Sequence, residues 1–96
     1  MPYGRKVVLH CPNGYQMRLD TLVEEFIQDG VVFVGVVGKN CERIEEKIDW
    51  LVIGDDGSRD YDLLTSSHPN QSLEDAIEFA ESLTGELSGD AQVVEL

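Results

Sequence analysis

Hydroxyl, imidazole and amide side chains are concentrated just before one predicted helix. Thr65, Ser66, Ser67 and His68 precede Ser72, which is a residue type that caps helices. Because the first-turn amides of a helix attract anions, this run is a candidate site for a phosphate or carboxylate group. The competing interpretation is a polar loop that turns the chain into the helix, and we favour it because such residues are common in loops.

Two adjacent carboxylates, Asp55 and Asp56, form a second candidate site. They follow a predicted strand over 50–53, and a hard cation such as Mg²⁺ prefers carboxylate oxygens. The sequence Asp-Asp-Gly-Ser is also typical of a turn, because Asp bonds to its own downstream backbone and Gly tolerates positive φ. We favour the turn over the metal site and expect no cofactor.

Cys11 ends a predicted strand, and its neighbours match the motif of neither of two known kinds of reactive cysteine. A phosphatase loop would place Arg after five intervening residues, but six residues separate Cys11 from Arg18. A thioredoxin-like pair would need a second cysteine where Gly14 stands. We therefore interpret Cys11 as a small buried residue, since free Cys is among the most buried residue types.

The last third of the chain is acidic throughout. Residues 60–96 hold nine of the 19 acidic residues and none of the seven Lys and Arg, in a chain of net charge −12. Such a surface repels nucleic acid and anionic lipid and attracts basic patches on proteins, although solubility alone also explains acidic helices. The predicted partner-binding residues share one face of the last helix: Glu74, Asp75, Glu78 and Glu81.

The elements that must position these groups alternate between strand and helix. Short apolar or β-branched runs ending at turn residues predict strands over 5–11, 31–37, 50–53, 61–65 and 91–96. Apolar residues at helical spacing predict three helices. The first covers 19–27 and ends at Gly30, the second is capped by Asn40, and the third is capped by Ser72.

This alternation predicts a single small α/β domain over residues 1–96. Only residues 54–60 join the third and fourth strands, whereas a parallel crossover needs about a dozen residues. We therefore predict a mixed five-stranded sheet of order 2-1-3-4-5 with three flanking helices, in which strands 1–3 are parallel and strand 4 is antiparallel to strand 3. Residues 65–68 would then lie at the opposite edge from Cys11 and Asp55, which argues against a combined active centre.

One stretch resembles a known family. Leu64-Thr65-Ser66-Ser67-His68, followed by 72–77 and Phe79-Ala80, is similar to a stretch in small uncharacterised bacterial α/β proteins, a family classed as a domain of unknown function. The resemblance implies a bacterial source and an α/β fold. It carries over no functional residue.

Two functions follow from these patterns. The favoured one is a non-catalytic interaction or regulatory module whose last helix docks on a basic protein. The alternative is binding of a small molecule or divalent metal at the strand-end loops, with or without catalysis, but no nucleophile, base and oxyanion clamp can be assembled there.

Self-association is a third, structural hypothesis. An edge strand, either 31–37 or 91–96, could pair with its copy in a homodimer. The sequence has no secretory signal and no apolar run long enough to span a bilayer. We therefore expect a cytoplasmic protein with neither membrane nor nucleic acid as partner.

Overall fold

A computed structural model of the chain describes residues 3–54 and 63–96. Its strands are β1 (Lys6–Cys11), β2 (Phe33–Gly38), β3 (Leu64–His68) and β4 (Gln92–Glu95). Its helices are α1 (Arg18–Asp29), α2 (Cys41–Ile53) and α3 (Leu73–Ser82), and a short 3₁₀ turn (Gly85–Leu87) follows α3. Among the described residues, no helix is long and apolar enough to cross a membrane.

The four strands form one sheet of order β3-β2-β1-β4, and all three neighbouring pairs are parallel. The predicted α/β class is confirmed. The predicted fifth strand, the order 2-1-3-4-5 and the antiparallel strand are wrong. The extra strand and the antiparallel direction share one cause, because residues 50–53 are the last turn of α2 and not a strand. The connection from β2 to β3 is therefore a full crossover through α2, which allows β3 to be parallel.

The strand order also decides which predicted strand could pair with its copy in a homodimer. β2 pairs with β1 on one side and with β3 on the other, so the predicted homodimer seam over 31–37 is wrong. β4 lies at an edge of the sheet. The homodimer seam over 91–96 stays a prediction.

The two faces of the sheet are covered by different helices. Alternate residues of β1 and β2 pack against α1 and α2 on one face, and the others pack against α3 on the opposite face. The strand order explains this arrangement. From β1 to β3 each new strand is added on the same side of the sheet, whereas β4 is added on the other side, next to β1. Right-handed crossovers place the connecting helix on the other face after such a reversal.

α3 is held against the sheet by small side chains and one buried lysine. Ala76 and Ala80 are fully buried, and their size lets the helix approach closely. The Lys6 ammonium, 2% exposed, donates a hydrogen bond of 2.6 Å to the Ala80 carbonyl oxygen, and a cation is favourable near a helix C-terminus. At the other end, Ser72 and Asp75 form a reciprocal capping box, so the predicted cap of α3 is confirmed.

The loops that follow β1 and β2 meet at the main chain of Cys11. The Cys11 carbonyl oxygen accepts hydrogen bonds from the N–H of Gly14 (3.3 Å) and the N–H of Lys39 (2.9 Å). Between them, Gly38 has a φ of +119°, and a Cβ at this position would overlap the Cys11 carbonyl group. The end of β2 can approach β1 this closely only because residue 38 has no side chain.

We predict that Gly38→Ala strongly destabilises the fold. The matched control is Gly30→Ala, because Gly30 ends α1 with a φ of +79° but has no atom within 4 Å of the position its Cβ would take. The control should lower the free energy of unfolding by about 1 kcal/mol through backbone strain alone. Gly38→Ala adds a backbone clash and should cost at least about 2 kcal/mol more. Urea denaturation of both variants measures the difference, and equal losses would contradict the close approach.

Candidate functional site

β2 and β3 are neighbours, but the helices that follow them lie on opposite faces of the sheet. Their loops therefore diverge at the carboxyl edge, and ligands of open parallel sheets bind in the crevice that forms at such a point. A cavity of about 410 Å³ lies there. Residues 38–43 line one side of it, and Pro69 and Asn70 line the other.

The N-terminus of α2 forms one wall of the crevice. Asn40 stands at the predicted cap position, but its backbone is left-handed (φ +57°) and its side chain makes no capping hydrogen bond. The predicted cap is wrong in this respect. The first-turn N–H groups of α2 have no partner within the helix. They lie beside the crevice and receive no hydrogen bond from the Asn40 side chain. In α3, by contrast, the capping box satisfies such donors.

The side chains of the crevice favour a negative ligand. Lys39 and Arg43 line it together with one carboxylate, Glu42, and all three side chains are exposed. The two positive side chains outnumber the one negative side chain, and the N-terminus of α2 adds the positive end of its helix dipole, so the lining is positively charged. The chain as a whole carries a net charge of −12, so the lining of the crevice differs in sign from the molecule as a whole.

The predicted anion-binding run is divided between the two faces of the sheet. The register places Thr65 and Ser67 beside the β2 residues that face α1 and α2, and places Ser66 and His68 beside those that face α3. The Thr65 hydroxyl lies 3.1 Å from a Glu45 carboxylate oxygen and 2.9 Å from one of Asp49. Those carboxylates oppose an anion at Thr65, and a binding role for the four residues stays a prediction.

His68 belongs to a satisfied polar network on the α3 face. Its Nδ1 lies 2.8 Å from the Gln71 side-chain oxygen and its Nε2 lies 2.9 Å from the Ser66 hydroxyl. With Nδ1–H donating to Gln71, Nε2 accepts from Ser66. The ring is 6% exposed and lies 5.0 Å from the Phe79 ring, centroid to centroid. Neighbouring side chains occupy both ring nitrogens, so we interpret the network as structural.

The remaining predicted site residues lie elsewhere. Asp55 and Asp56 lie outside the described residues. Within 3–54 and 63–96, no group of three or more His, Cys, Asp or Glu is arranged to hold a metal ion. All four predicted partner-binding acids on α3 are exposed. Asp75 accepts the Ser72 N–H of the capping box, and Glu81 accepts the Ala91 N–H at 3.3 Å.

Cys11 is fully buried at the end of β1. Burial raises the pKa of its thiol from 9.0 to about 12, and the neighbouring Cys41 thiol adds to the shift. A thiol with this pKa is protonated at neutral pH and is a poor nucleophile. The geometry therefore agrees with a packing role for Cys11.

A family model described as Domain of unknown function (DUF7684) matches residues 1–94. The chain belongs to DUF7684. The predicted resemblance to an uncharacterised family is therefore confirmed. No curated protein and no solved structure matches the chain.

Sequence reasoning gave too little weight to two residues of the DUF7684 crevice. Neither Lys39 nor Arg43 was among the predicted site residues. Their signal was a Gly-Lys pair directly after a buried strand, with basic residues at four-residue spacing: Lys39, Arg43 and Lys47. Arg43 and Lys47, four residues apart, share one face of α2, whereas Lys39 lies before the helix begins.

The buried Cys11 thiol predicts a loss of stability at alkaline pH. In the unfolded chain this thiol ionises above pH 9, whereas in the folded protein it keeps its proton up to about pH 12. Stability is therefore fully present below pH 9 and falls by about 1.4 kcal/mol per pH unit above it, because only the unfolded state releases the proton.

The Cys11→Ala variant is the control for this pH dependence. In this variant the free energy of unfolding should no longer fall with pH on account of the thiol, whereas the tyrosines titrate alike in both proteins. Urea denaturation at several pH values between 8 and 11 gives the two slopes. Parallel pH profiles for the two proteins would show that the thiol is not responsible.

Proposed function

We propose that this DUF7684 domain binds a small anionic ligand in the crevice between the ends of β2 and β3. The observation that carries the proposal is the position of Lys39, Arg43 and the first turn of α2 where the loops after β2 and β3 diverge to opposite faces of the sheet. Lys39 offers a mobile point charge, and the Arg43 guanidinium offers paired donors that match two oxygens of a phosphate or carboxylate. The α2 amides add neutral donors.

Short-range contacts must supply the affinity of this site. The net charge of −12 opposes the approach of any anion over long distances. Salt screens that repulsion as well as the local attraction. We therefore expect ligand binding that weakens less with increasing salt than binding of the domain to a basic protein would.

The test is a titration with inorganic phosphate and with pyrophosphate, followed by amide chemical shifts. Saturable shifts are expected at residues 38–43 and at Asn70. Lys39→Met and Arg43→Gln should each weaken binding at least about tenfold, because each removes a charge-assisted hydrogen bond.

Arg5→Gln is the control for those two variants. It removes the same charge from an exposed residue that precedes β1, at the opposite edge of the sheet. It should leave the dissociation constant unchanged. Equal weakening in all three variants would indicate a general charge effect, and an absence of shifts at residues 38–43 would refute the site.

A second candidate function is docking of the α3 face on a basic protein. The observation in its favour is that Phe79, 43% exposed, lies on the same helix as the exposed carboxylates Glu74 and Glu78. No Lys or Arg occurs in residues 60–96. An apolar side chain among acids suits a partner that presents an apolar residue within a basic patch, and charge would mainly raise the association rate.

Charge reversal on α3 tests this second function. Glu74→Lys, Glu78→Lys and Glu81→Lys combined should abolish capture of a basic protein from source-cell lysate that the unchanged domain binds at low salt. The matched variant reverses three exposed acids of α1 and α2, Glu24, Glu25 and Glu46, and changes the net charge equally. Capture that both variants lose to the same extent would reject a specific α3 surface.

A further inference from the structure

We infer that the anionic ligand also carries a flat aromatic group and that this group lies on the Tyr15 ring. This inference rests on the proposed function and extends it to a class of ligand. Its basis is a second hollow next to the crevice, with a different chemical character.

The second hollow has a volume of about 380 Å³ and is lined by Tyr15, Arg43 and Lys47. Arg43 also lines the crevice, so the two spaces adjoin at this side chain. The β1–α1 and β2–α2 loops also lie close together. A Cβ added to Gly14 would lie 3.5 Å from the side-chain amide nitrogen of Asn40 and 3.8 Å from Lys39. One ligand could therefore occupy both spaces.

The two spaces suit two different chemical groups. The crevice has polar walls and two cations, whereas the second hollow has mostly apolar walls, formed by the Tyr15 ring and the hydrocarbon stems of Arg43 and Lys47. Tyr15 is 46% exposed, and its hydroxyl donates to an Asp20 carboxylate oxygen at 3.3 Å. That hydrogen bond restrains a ring that is open to a stacking partner.

Helix geometry sets the length of such a ligand. α2 begins at Cys41, and six residues, about 9 Å along the helix axis, separate its first residue from Lys47. A molecule of mononucleotide size spans this distance, with its phosphate at Lys39 and the α2 amides and its ring on Tyr15. A cation near the face of an aromatic ring, here at Arg43 or Lys47, adds attraction.

The test compares adenosine 5′-monophosphate with ribose 5-phosphate, which has the same phosphate and sugar but no aromatic base. Isothermal titration should give AMP binding at least about tenfold tighter than ribose 5-phosphate, the contribution expected of one stacked base. Tyr15→Ala should remove this preference. Tyr15→Phe, which keeps the ring, should retain it.

The outcomes distinguish failure of the inference alone from failure of the proposed function. Equal affinities for AMP and ribose 5-phosphate would overturn the inference and leave anion binding intact. A preference for AMP that survives Tyr15→Ala would overturn the placement of the ring on Tyr15. If neither compound binds and phosphate causes no shifts at residues 38–43, both the inference and the proposed function fail.

Discussion

The carbonyl oxygen of Cys11 joins the two loops on which the candidate site depends. It accepts one N–H from the β1–α1 loop and one from the β2–α2 loop, and the missing side chain of Gly38 makes this approach possible. The Lys39 side of the crevice is thereby held beside the loop that carries Tyr15. A buried carbonyl needs such partners in any fold, but here the same hydrogen bonds bring two differently lined spaces together.

The second constraint is the order of the strands, because β2 and β3 are added on one side of β1 whereas β4 is added on its other side. Because the path turns back to reach β4 beside β1, α3 lies on the opposite face from α1 and α2. This separates the loops after β2 and β3 and opens the crevice. It also keeps the acidic surface of α3 on a different layer from the basic residues of α2. The two proposed functions therefore use different parts of the molecule and do not exclude each other.

Local patterns predicted most of the elements but not their assembly. The amphipathic stripes of α1 and α3, the buried β2 run and the Ser72 cap are all present as predicted. The error lay at residues 50–53, where β-prone residues end a helix. Val52 continues the stripe of Ile44 and Ile48 at four-residue spacing, and all three are buried against the sheet. Tertiary burial of that stripe outweighed local β propensity, as it often does.

The sequence by itself determined the α/β class, the presence of three helices and the sign of the charge on α3, because each depends on residues close together in the chain. Only the tertiary structure decided that β3 is parallel and that Pro69 and Asn70 lie at the same edge as Gly38. It also placed Arg43 between the crevice and the Tyr15 hollow. Strand order and loop contacts join residues far apart in sequence, and no local pattern encodes which of them will meet.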